Sequence, residues 1–377
     1  MYSSTAENLP ARKIKVLIVD DSVTICRFLE ATFSEDPDFE VVGYALDPFE
    51  ARERIKALNP DVLTLDVEMP KMDGVTFLRN LMRLHPMPVV MFSSLTDVGA
   101  SATLDSLEAG AVDFMPKHSA RSGDDMGEYI KELVRKVKSA AGAQMLKQGS
   151  PQLEPSLPDL NLLTKKLSQG SRLSSSVTRI VAIGASTGGP EALRHVVGPL
   201  SVLNCAFVIS QHMPANFMAS FAKRMNSQSE FEVHIAEDGE KVLPGHGYIA
   251  PGDRHLSLEK RENSYYWKVM DSAKVSGHRP SVDVLFKSIA THAPAKAIGI
   301  LMTGMGEDGA EGLKMMRDSG SVTIIQDKSS SVVWGMAGKA DSMSAQDQTL
   351  ELNQIAAAVN KLIKPVSYTH LTLPTKA

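Results

Sequence analysis

A glycine-rich turn in the second half of the chain contains a serine, Ser186, that could act as a nucleophile. The stretch VAIGASTGGPEALRHVV, residues 181–197, passes from an apolar, strand-like run through this turn into a helical pattern. Its GASTG core matches G-x-S-x-G, the pattern of a serine exposed on a tight turn between a strand and a helix. The same context suits a phosphate-binding loop, because glycines at a helix N-terminus expose backbone N–H groups to an anion. The turn alone leaves a nucleophile and an anion cradle as equal alternatives.

A base and an acid occur at matching places further along the chain. A nucleophilic serine needs a general base, and the base needs an acid to orient it. His212 follows the apolar run CAFVISQ, and Asp308 follows the run KAIGILMTG. Singly, His212 fits a structural residue of a turn and Asp308 fits a cap on the next helix, where the helix dipole favours an acid. Three such placements at predicted strand ends favour a Ser-His-Asp site, and this chain order excludes the α/β-hydrolase fold, whose order is Ser-Asp-His.

Acidic residues and a lysine follow strand-like runs in the first third of the chain. Asp20 and Asp21 follow IKVLIV, Asp66 ends the run DVLTLD, and Lys117 follows DFMP. Clustered carboxylates repel one another unless a hard cation lies among them, and Mg²⁺ with oxygen ligands fits that requirement. One carboxylate could then accept a phosphoryl group while the metal and the lysine neutralise the developing charge. Any one of these acids alone could equally be a helix N-cap.

The elements that must position these residues form two α/β patterns. Short β-branched runs alternate with amphipathic helical stretches, which predicts parallel sheets covered by helices on both faces. We predict a five-stranded parallel domain at residues 13–141, a linker at 142–177 and a doubly wound, mostly parallel domain at 178–364. Within the linker, LNLLTKKL could form a short docking helix. The segments YIAP, HLSLEK and SYYWKVM predict a small antiparallel addition, and we expect residues 365–377 to be a non-native or disordered tail.

Composition narrows the class of protein. The chain has 377 residues, 43% of them hydrophobic, and a net charge of -4, as in ordinary globular proteins. It contains no run of about 18 apolar residues and no signal-peptide core, so we expect a cytoplasmic protein without membrane insertion. The lack of a dense Lys/Arg block or a helix-turn-helix pattern argues against nucleic acid as a partner. The cysteines, Cys26 and Cys205, lie in separate apolar segments and fit buried thiols.

The motifs of the first domain resemble the response-regulator receiver domain, which has a flavodoxin-like (CheY-like) fold. The matching segments are VDDS, LDVEMPKMDG, VVMFSS and DFMPK, in this order and at predicted strand ends. Receivers usually have proline after the lysine, whereas His118 follows Lys117 here. The resemblance implies a phosphoacceptor (Asp66), Mg²⁺ ligands (Asp20, Asp21, Asp66 and the backbone carbonyl of Glu68), switch residues (Ser93 and Phe114) and a lysine that contacts the phosphoryl oxygens (Lys117).

The second domain resembles the catalytic domain of the chemotaxis protein-glutamate methylesterases, the CheB family. The matching segments are IGASTGGPEAL, QHMP, HRPSVDVLF and TGMGEDGAEGL, and with the receiver the resemblance covers residues 13–364. It implies that Ser186 is the nucleophile, His212 the base and Asp308 its orienter, with backbone N–H groups near Thr187 and Met305 as oxyanion candidates.

The same resemblance implies the reaction and the partners. The substrate would be a glutamate methyl ester on a methyl-accepting chemoreceptor, and methanol would be released. Deamidation of receptor glutamines would be a second activity. The esterase site would need no cofactor, and Mg²⁺ would serve the receiver alone. A histidine kinase, CheA, would phosphorylate Asp66 and relieve inhibition by the receiver.

A different function class also fits part of the pattern. The chain could be a response regulator with a non-catalytic output domain that binds an anion or a protein, with GASTGG as the anion loop. In that case, replacing Ser186 with alanine would preserve binding and change no turnover. A transcription factor is disfavoured because no basic recognition helix is found.

Overall fold

The computed structural model describes residues 12–94, 96–117, 126–145, 157–169, 179–201 and 205–363. The chain divides into two compact units, Met1–Gly149 and Ser150–Ala377, and the division falls inside the predicted linker. Most of that linker, the predicted tail and His118 lie outside the described residues. The domain boundaries given above therefore stay predictions.

The first unit is a five-stranded parallel sheet in the order β2-β1-β3-β4-β5, which confirms the predicted flavodoxin-like receiver fold. Strands and helices alternate without exception along the described part of this unit. The elements are β1 (Ile14–Val19), α1 (Val23–Ser34), β2 (Phe39–Ala45), α2 (Pro48–Leu58), β3 (Val62–Asp66), α3 (Gly74–Leu84), β4 (Val89–Ser93), α4 (Asp97–Glu108), β5 (Asp113–Pro116) and α5 (Met126–Ala141).

The pairing of β1 with β3 places the acidic residues side by side. Val19 at the end of β1 lies opposite Leu65 of β3, so Asp20 and Asp66 follow at the same edge of the sheet. Helix α1 begins directly beyond this edge, where the Ser22 hydroxyl accepts a hydrogen bond from the Ile25 N–H at 3.5 Å. The short turn between strand and helix keeps the acidic residues at the carboxyl edge, where ligands bind in open α/β sheets.

The second unit is a seven-stranded parallel sheet in the order β14-β13-β12-β6-β7-β9-β8, which confirms the predicted doubly wound, mostly parallel domain. The elements are α6 (Asn161–Gln169), β6 (Arg179–Ala185), α7 (Gly189–Val197), β7 (Cys205–Gln211), α8 (Ala215–Gln228), β8 (Glu232–Ile235), β9 (His246–Ile249), β10 (His255–Arg261), β11 (Ser264–Met270), α9 (Val282–His292), β12 (Ala297–Leu301), α10 (Ala310–Asp318), β13 (Val322–Gln326), α11 (Met336–Ser342), β14 (Gln348–Leu350) and α12 (Leu352–Ile363).

The antiparallel addition is a hairpin of β10 and β11, paired from His255 opposite Met270 to Arg261 opposite Ser264. This confirms the prediction for HLSLEK and SYYWKVM, but the prediction for YIAP was wrong. Its first two residues, Tyr248 and Ile249, lie in β9, which pairs in parallel with β7 and β8 in the main sheet. Tyr248 and Ile249 in this strand are fully buried, so core packing fixes its place despite its short, polar-flanked pattern.

The helix suggested within the linker is present as α6 and packs on the second unit. Leu160 and Leu167 are fully buried, and Leu163 is nearly so. The helix contacts β13 and α12, and the Lys166 ammonium lies 2.8 Å from the Asp347 carboxylate. Part of the sequence between the two α/β patterns thus contributes apolar contacts to the second unit.

We expect Leu167→Ala to lower the free energy of unfolding of the second unit by about 2–5 kcal/mol, the usual cost of a cavity at a buried leucine. Leu162→Ala is the matched control on the same helix. Leu162 is 76% exposed, so its change should stay below about 0.5 kcal/mol. Both tryptophans of the chain, Trp267 and Trp334, lie in this unit, so urea unfolding followed by tryptophan fluorescence measures it within the full chain. Equal effects of the two substitutions would contradict the docking of α6.

Candidate active site

Three neighbouring strands of the second sheet carry the predicted catalytic residues to one edge. Strand β6 lies between β12 and β7, with Gly184 opposite Leu301 and Ala185 opposite Gln211. Ser186 and His212 are the residues that directly follow β6 and β7. Asp308 lies in the loop between β12 and α10. The parallel order of these strands therefore brings together residues that are far apart in sequence.

The three side chains form a hydrogen-bonded chain. The Ser186 Oγ lies 3.1 Å from the Nδ1 of His212. On the other side of the ring, the Nε2 of His212 lies 2.8 Å from the Oδ2 of Asp308. All three are nearly buried, with Ser186 7% exposed and Asp308 1% exposed. The structure thus places the predicted nucleophile, base and orienting acid in contact, in the order that proton transfer requires.

The partners of the His212 ring determine which of its two nitrogens carries the proton. An ionised Asp308 accepts hydrogen bonds only, so the Nε2 of neutral His212 carries the proton and donates it to the carboxylate. The Nδ1 is then the acceptor for the Ser186 hydroxyl. Serine proteases use the opposite pair of ring nitrogens, with Nε2 toward the serine. Either arrangement gives the serine an unprotonated ring nitrogen.

Asp308 is held by the N-terminus of α9 as well as by His212. Its carboxylate accepts hydrogen bonds from the Ser281 hydroxyl at 2.8 Å, the Val282 N–H at 2.7 Å and the Asp283 N–H at 3.1 Å. Burial alone would raise the pKa of Asp308, but the hydrogen bond and charge of His212 and these donors hold that pKa below its ordinary value. The site therefore keeps a buried carboxylate ionised.

Two residues of the site were not singled out from the sequence. Ser281 precedes α9 and also caps it, which a serine before an apolar helical run indicates, but its bond to Asp308 depends on the tertiary fold. His278 stacks on His212, with ring centroids 3.7 Å apart and planes inclined by 10°. Its segment, HRPSVDVLF, belongs to the motifs quoted above, yet nothing in its spacing indicates stacking on another histidine.

The nucleophile turn is built from close backbone contacts. Gly188 has a φ of +74°, and a Cβ there would lie 2.7 Å from the Cβ of Val332, so a larger residue would be strained and displaced. The Ser186 N–H donates to the Thr303 carbonyl at 3.0 Å, which ties the turn to the strand end of β12. The turn is thus held in place from two sides.

Hydrogen bonds hold the backbone near each of the two oxyanion candidates. The Thr187 carbonyl accepts a hydrogen bond from the Thr303 hydroxyl at 3.0 Å, and Thr187 is 4% exposed. Met305 follows Gly304, whose carbonyl accepts from the Gly335 and Met336 N–H groups at 3.1 and 2.9 Å. These bonds hold the backbone around both candidates, and their role stays a prediction.

The first unit brings together its own predicted charged residues. The Lys117 ammonium lies 2.9 Å from the Oδ2 of Asp20 and 2.8 Å from the Oδ2 of Asp66. Burial raises the pKa of Asp66 to about 6, aided by the charge of Asp20 and opposed by Lys117. Burial thus disfavours the ionised form of Asp66, and a cation bound nearby would favour that form.

The acidic cluster fits Mg²⁺ in its chemistry. Carboxylate oxygens of Asp20, Asp21 and Asp66 all lie within 4.8 Å of one another, with Asp21 exposed and the other two buried. A set of hard oxygen donors, one of them open to water, is the kind of site that Mg²⁺ prefers. The Glu68 N–H donates to the Oδ1 of Asp66 at 3.3 Å, so the Glu68 carbonyl belongs to the same turn.

The predicted switch residues lie on the neighbouring strands. Ser93 ends β4 and is fully buried, and its hydroxyl donates to the Gly99 carbonyl at 3.1 Å. Phe114 lies on β5, is 3% exposed and pairs in register with Met91. The hydroxyl of Ser93 is thus engaged with the start of α4, and its role as a switch stays a prediction.

The ionised state of Asp308 generates a prediction about acid stability. The pKa of Asp308 in the folded chain is below that of an unfolded aspartate, which is about 3.9. The ionised Asp308 therefore stabilises the fold above about pH 3.9, and this stabilisation is lost as the pH falls below that value. We expect the difference in free energy of unfolding between the native chain and Asp308→Asn to shrink as the pH falls from about 4 toward about 2. Tryptophan fluorescence in urea measures it. Asp318→Asn, at a 60% exposed side chain on α10, is the control and should follow the native curve. A difference for Asp308→Asn that stays constant over this range would contradict the assignment.

Comparisons with known proteins were consistent across the chain. Residues 181–359 match the CheB methylesterase family model, and residues 16–124 match the response regulator receiver domain model. A protein-glutamate methylesterase/protein-glutamine glutaminase of Hydrogenovibrio crunogenus is 45% identical over 93% of this chain and 99% of its own length. A protein of the same name from Salmonella typhimurium is 46% identical over 91% of this chain and 95% of its own.

A solved structure and the helix lengths complete the comparison. The crystal structure of the Thermotoga maritima CheB methylesterase catalytic domain is 36% identical, with a TM-score of 0.49, over 51% of this chain and 100% of that domain. Within the described residues, every helix is too short or too polar to cross a membrane. The identity and coverage of the full-length relatives place this chain in the CheB family of protein-glutamate methylesterases.

Proposed function

We propose that this chain is a phosphorylation-activated protein-glutamate methylesterase that acts on methyl-accepting chemoreceptors. The observation that carries the proposal is the hydrogen-bonded chain from Ser186 through His212 to a buried, ionised Asp308. Such a chain supplies a nucleophile, a proton acceptor and a counter-charge, which together are the parts needed for acyl transfer. The relatives that carry the methylesterase name span nearly the full chain, so the same substrate class is the natural assignment.

The reaction proceeds in two steps. The Ser186 Oγ attacks the carbonyl carbon of the γ-glutamyl methyl ester while its proton passes to the Nδ1 of His212. Asp308 stabilises the imidazolium that forms, and the proton then passes to the methoxy oxygen as the C–O bond breaks and methanol leaves. In the second step, water attacks the acyl-enzyme, and His212 takes one of its protons and returns it to Ser186 as the acyl C–O bond breaks. The glutamate is released as its carboxylic acid, which loses its proton to solvent.

The developing negative charge on the carbonyl oxygen needs donors. Backbone N–H groups of Thr187 and Met305 are the proposed pair, because both belong to backbone held by the Thr303 and Gly304 contacts. One such donor is worth about 3–4 kcal/mol in transition-state stabilisation.

Deamidation is a proposed second activity of the same site. A glutamine amide presents the same carbonyl geometry as a methyl ester, so Ser186 can attack it along the same path. The proton on His212 would then pass to the leaving nitrogen, and ammonia would replace methanol as the product. The full-length relatives carry protein-glutamine glutaminase in their names as well.

The first domain is proposed to control this reaction. A phosphoryl group, donated by a histidine kinase such as CheA, would pass to the Asp66 carboxylate. Asp20, Asp21, Asp66 and the carbonyl of Glu68 would hold Mg²⁺, which when bound supplies positive charge against the phosphoryl oxygens. Lys117 would contact the same oxygens, and Ser93 and Phe114 would shift in response. The unmodified receiver is proposed to inhibit the esterase.

An output domain that only binds an anion is less well supported. A phosphate cradle at the N-terminus of α7 would require the glycine-rich turn alone. It would give no reason for His212 to lie against Ser186, or for a buried carboxylate to lie behind that histidine. The hydrolase accounts for all three positions.

Ser186→Ala should lower methanol release from methylated receptor membranes by about 10³-fold or more, because it removes the attacking oxygen. Release is measured from the full chain with Mg²⁺ and a small phosphodonor. Ser227→Ala, at an exposed position on α8, is the control and should behave as the native chain does. Native-like release by Ser186→Ala would exclude Ser186 as the nucleophile, whereas no release from the folded native chain would favour the anion-binding output domain.

Asp66→Asn should remove the stimulation of methanol release by phosphodonor, because an amide oxygen cannot serve as the phosphoryl acceptor. Its activity should equal that of the native chain without phosphodonor. Asp38→Asn, at a 64% exposed carboxylate on the same unit, is the control and should retain full stimulation. A stimulated Asp66→Asn chain would show that the phosphoacceptor, or the mode of activation, lies elsewhere.

A further inference from the structure

Gln211 is a buried side chain that touches the main chains of both the proposed nucleophile and the proposed base. It is the last residue of β7 and is 1% exposed. Its Nε2 donates hydrogen bonds to the Ser186 carbonyl at 3.0 Å and to the His212 carbonyl at 3.1 Å. One side-chain amide therefore joins two loops that leave different strands.

The orientation of this amide follows from its partners. Both contacts are carbonyl oxygens, so the NH₂ group must face them, because the opposite orientation would set three oxygens against one another. The Oε1 then points away, and it has no hydrogen-bond partner among the residues that the structure describes. A buried acceptor left unpaired costs free energy, and such a group calls for an explanation other than stability.

The bridge lies at the point where sheet pairing ends. The final pair of β6 and β7 is Ala185 with Gln211, and one more backbone bond follows, from the His212 N–H to the Ala185 carbonyl at 3.2 Å. Beyond this bond, the separation of Ser186 from His212 depends on contacts made by the two loops, including those to Thr303 and Asp308. The two hydrogen bonds from Gln211 are contacts of this kind, because they hold both loops by their backbones.

Gly189 leaves the space that the amide needs. A Cβ built on Gly189 would lie 2.1 Å from the Oε1 of Gln211, so an alanine there would displace the amide. The Gly189 N–H also donates to the Ser186 carbonyl at 2.7 Å, the same oxygen that Gln211 contacts. Gln211 and Gly189 therefore hold the nucleophile turn as a pair.

We propose that Gln211 is a positioning residue that sets the distance between the Ser186 Oγ and the Nδ1 of His212. The inference rests on the proposed hydrolase function. Because Gln211 is 1% exposed and its amide donates to main-chain oxygens, its loss should lower kcat and leave KM nearly unchanged. A small displacement of a reacting group is enough for a large loss of rate.

The first test is Gln211→Met in the full chain, with Mg²⁺ and a small phosphodonor. Methionine fills a similar volume and removes the donor group. We expect kcat for methanol release to fall by about 10- to 100-fold and KM to change by less than about twofold. Gln346→Met is the matched control, since the Nε2 of Gln346 also donates to an oxygen, that of Asp341, and its Oε1 is also unpaired among the described residues. It should keep the native kcat.

A second readout separates this inference from the proposed function. The rate at which a fluorophosphonate inactivates the chain reports the reactivity of Ser186 without any receptor. It should fall in Gln211→Met in parallel with kcat. If the native chain releases no methanol, the esterase proposal fails. If it releases methanol and Gln211→Met matches it in both rates, the positioning role is wrong and the esterase proposal stands.

A double-substitution cycle tests the pairing with Gly189. Gly189→Ala should lower kcat in the native chain by about tenfold. Its effect should be several-fold smaller in a Gln211→Ala chain, where the 2.1 Å contact with the amide is gone and the 2.9 Å contact with the Cβ of Ala185 is left. Equal effects in both chains would overturn the proposed coupling. Should Gln211→Met fail to fold by tryptophan fluorescence, Gln211→Glu takes its place. Its kcat, as a fraction of the native kcat at the same pH, should be low at neutral pH and rise on acidification, because a protonated carboxyl regains one donor.

Discussion

The hydrogen bond between Asp308 and the Nε2 of His212 is the interaction on which the proposed chemistry depends. It requires a buried carboxylate to stay ionised, which burial opposes. The N-terminus of α9 meets that requirement with three donors from consecutive residues, beginning with the Ser281 hydroxyl. A charge held in this way fixes the tautomer of His212, and the tautomer leaves an acceptor nitrogen toward Ser186. The proposed reactivity of Ser186 thus depends on the placement of helix α9.

Both domains use the same structural rule for different chemistry. In each sheet, adjacent parallel strands end at one edge, and the polar residues that follow those strands lie close together there. In the first domain the residues are carboxylates and a lysine, suited to a metal ion and a phosphoryl group. In the second they are a serine, a histidine and a single carboxylate whose charge is matched by donors. Burial favours a higher pKa at both key acids: it prevails at Asp66, whereas the contact with His212 and the hydrogen bonds from α9 hold the pKa of Asp308 down.

Much of this organisation could be predicted from strand ends and motif spacing. Alternating apolar and amphipathic runs were sufficient for both parallel sheets, and the residues directly after them, such as Ser186 and His212, were found at one edge. Contacts made through tertiary packing could not be predicted, because nothing local encodes them. The stacking of His278 on His212, the bond from Ser281 to Asp308 and the bridge from Gln211 are examples. The prediction that YIAP belongs to the antiparallel addition was wrong for a related reason. Burial, rather than the pattern of apolar and polar residues, decides where the four-residue strand β9 pairs.

The role of the Asp308–His212 hydrogen bond is tested most directly by finding which nitrogen of the His212 ring carries the proton. ¹⁵N NMR of the full chain with labelled histidine measures this. His212→Gln identifies its signals. At about pH 8, where a histidine is ordinarily neutral, we expect a proton on Nε2, hydrogen-bonded to Asp308, and an unprotonated Nδ1 toward Ser186. The Nε2 proton signal should move or vanish in Asp308→Asn. A proton on Nδ1 with a bare Nε2 would contradict the account, because His212 could then neither accept the serine proton nor be oriented by Asp308.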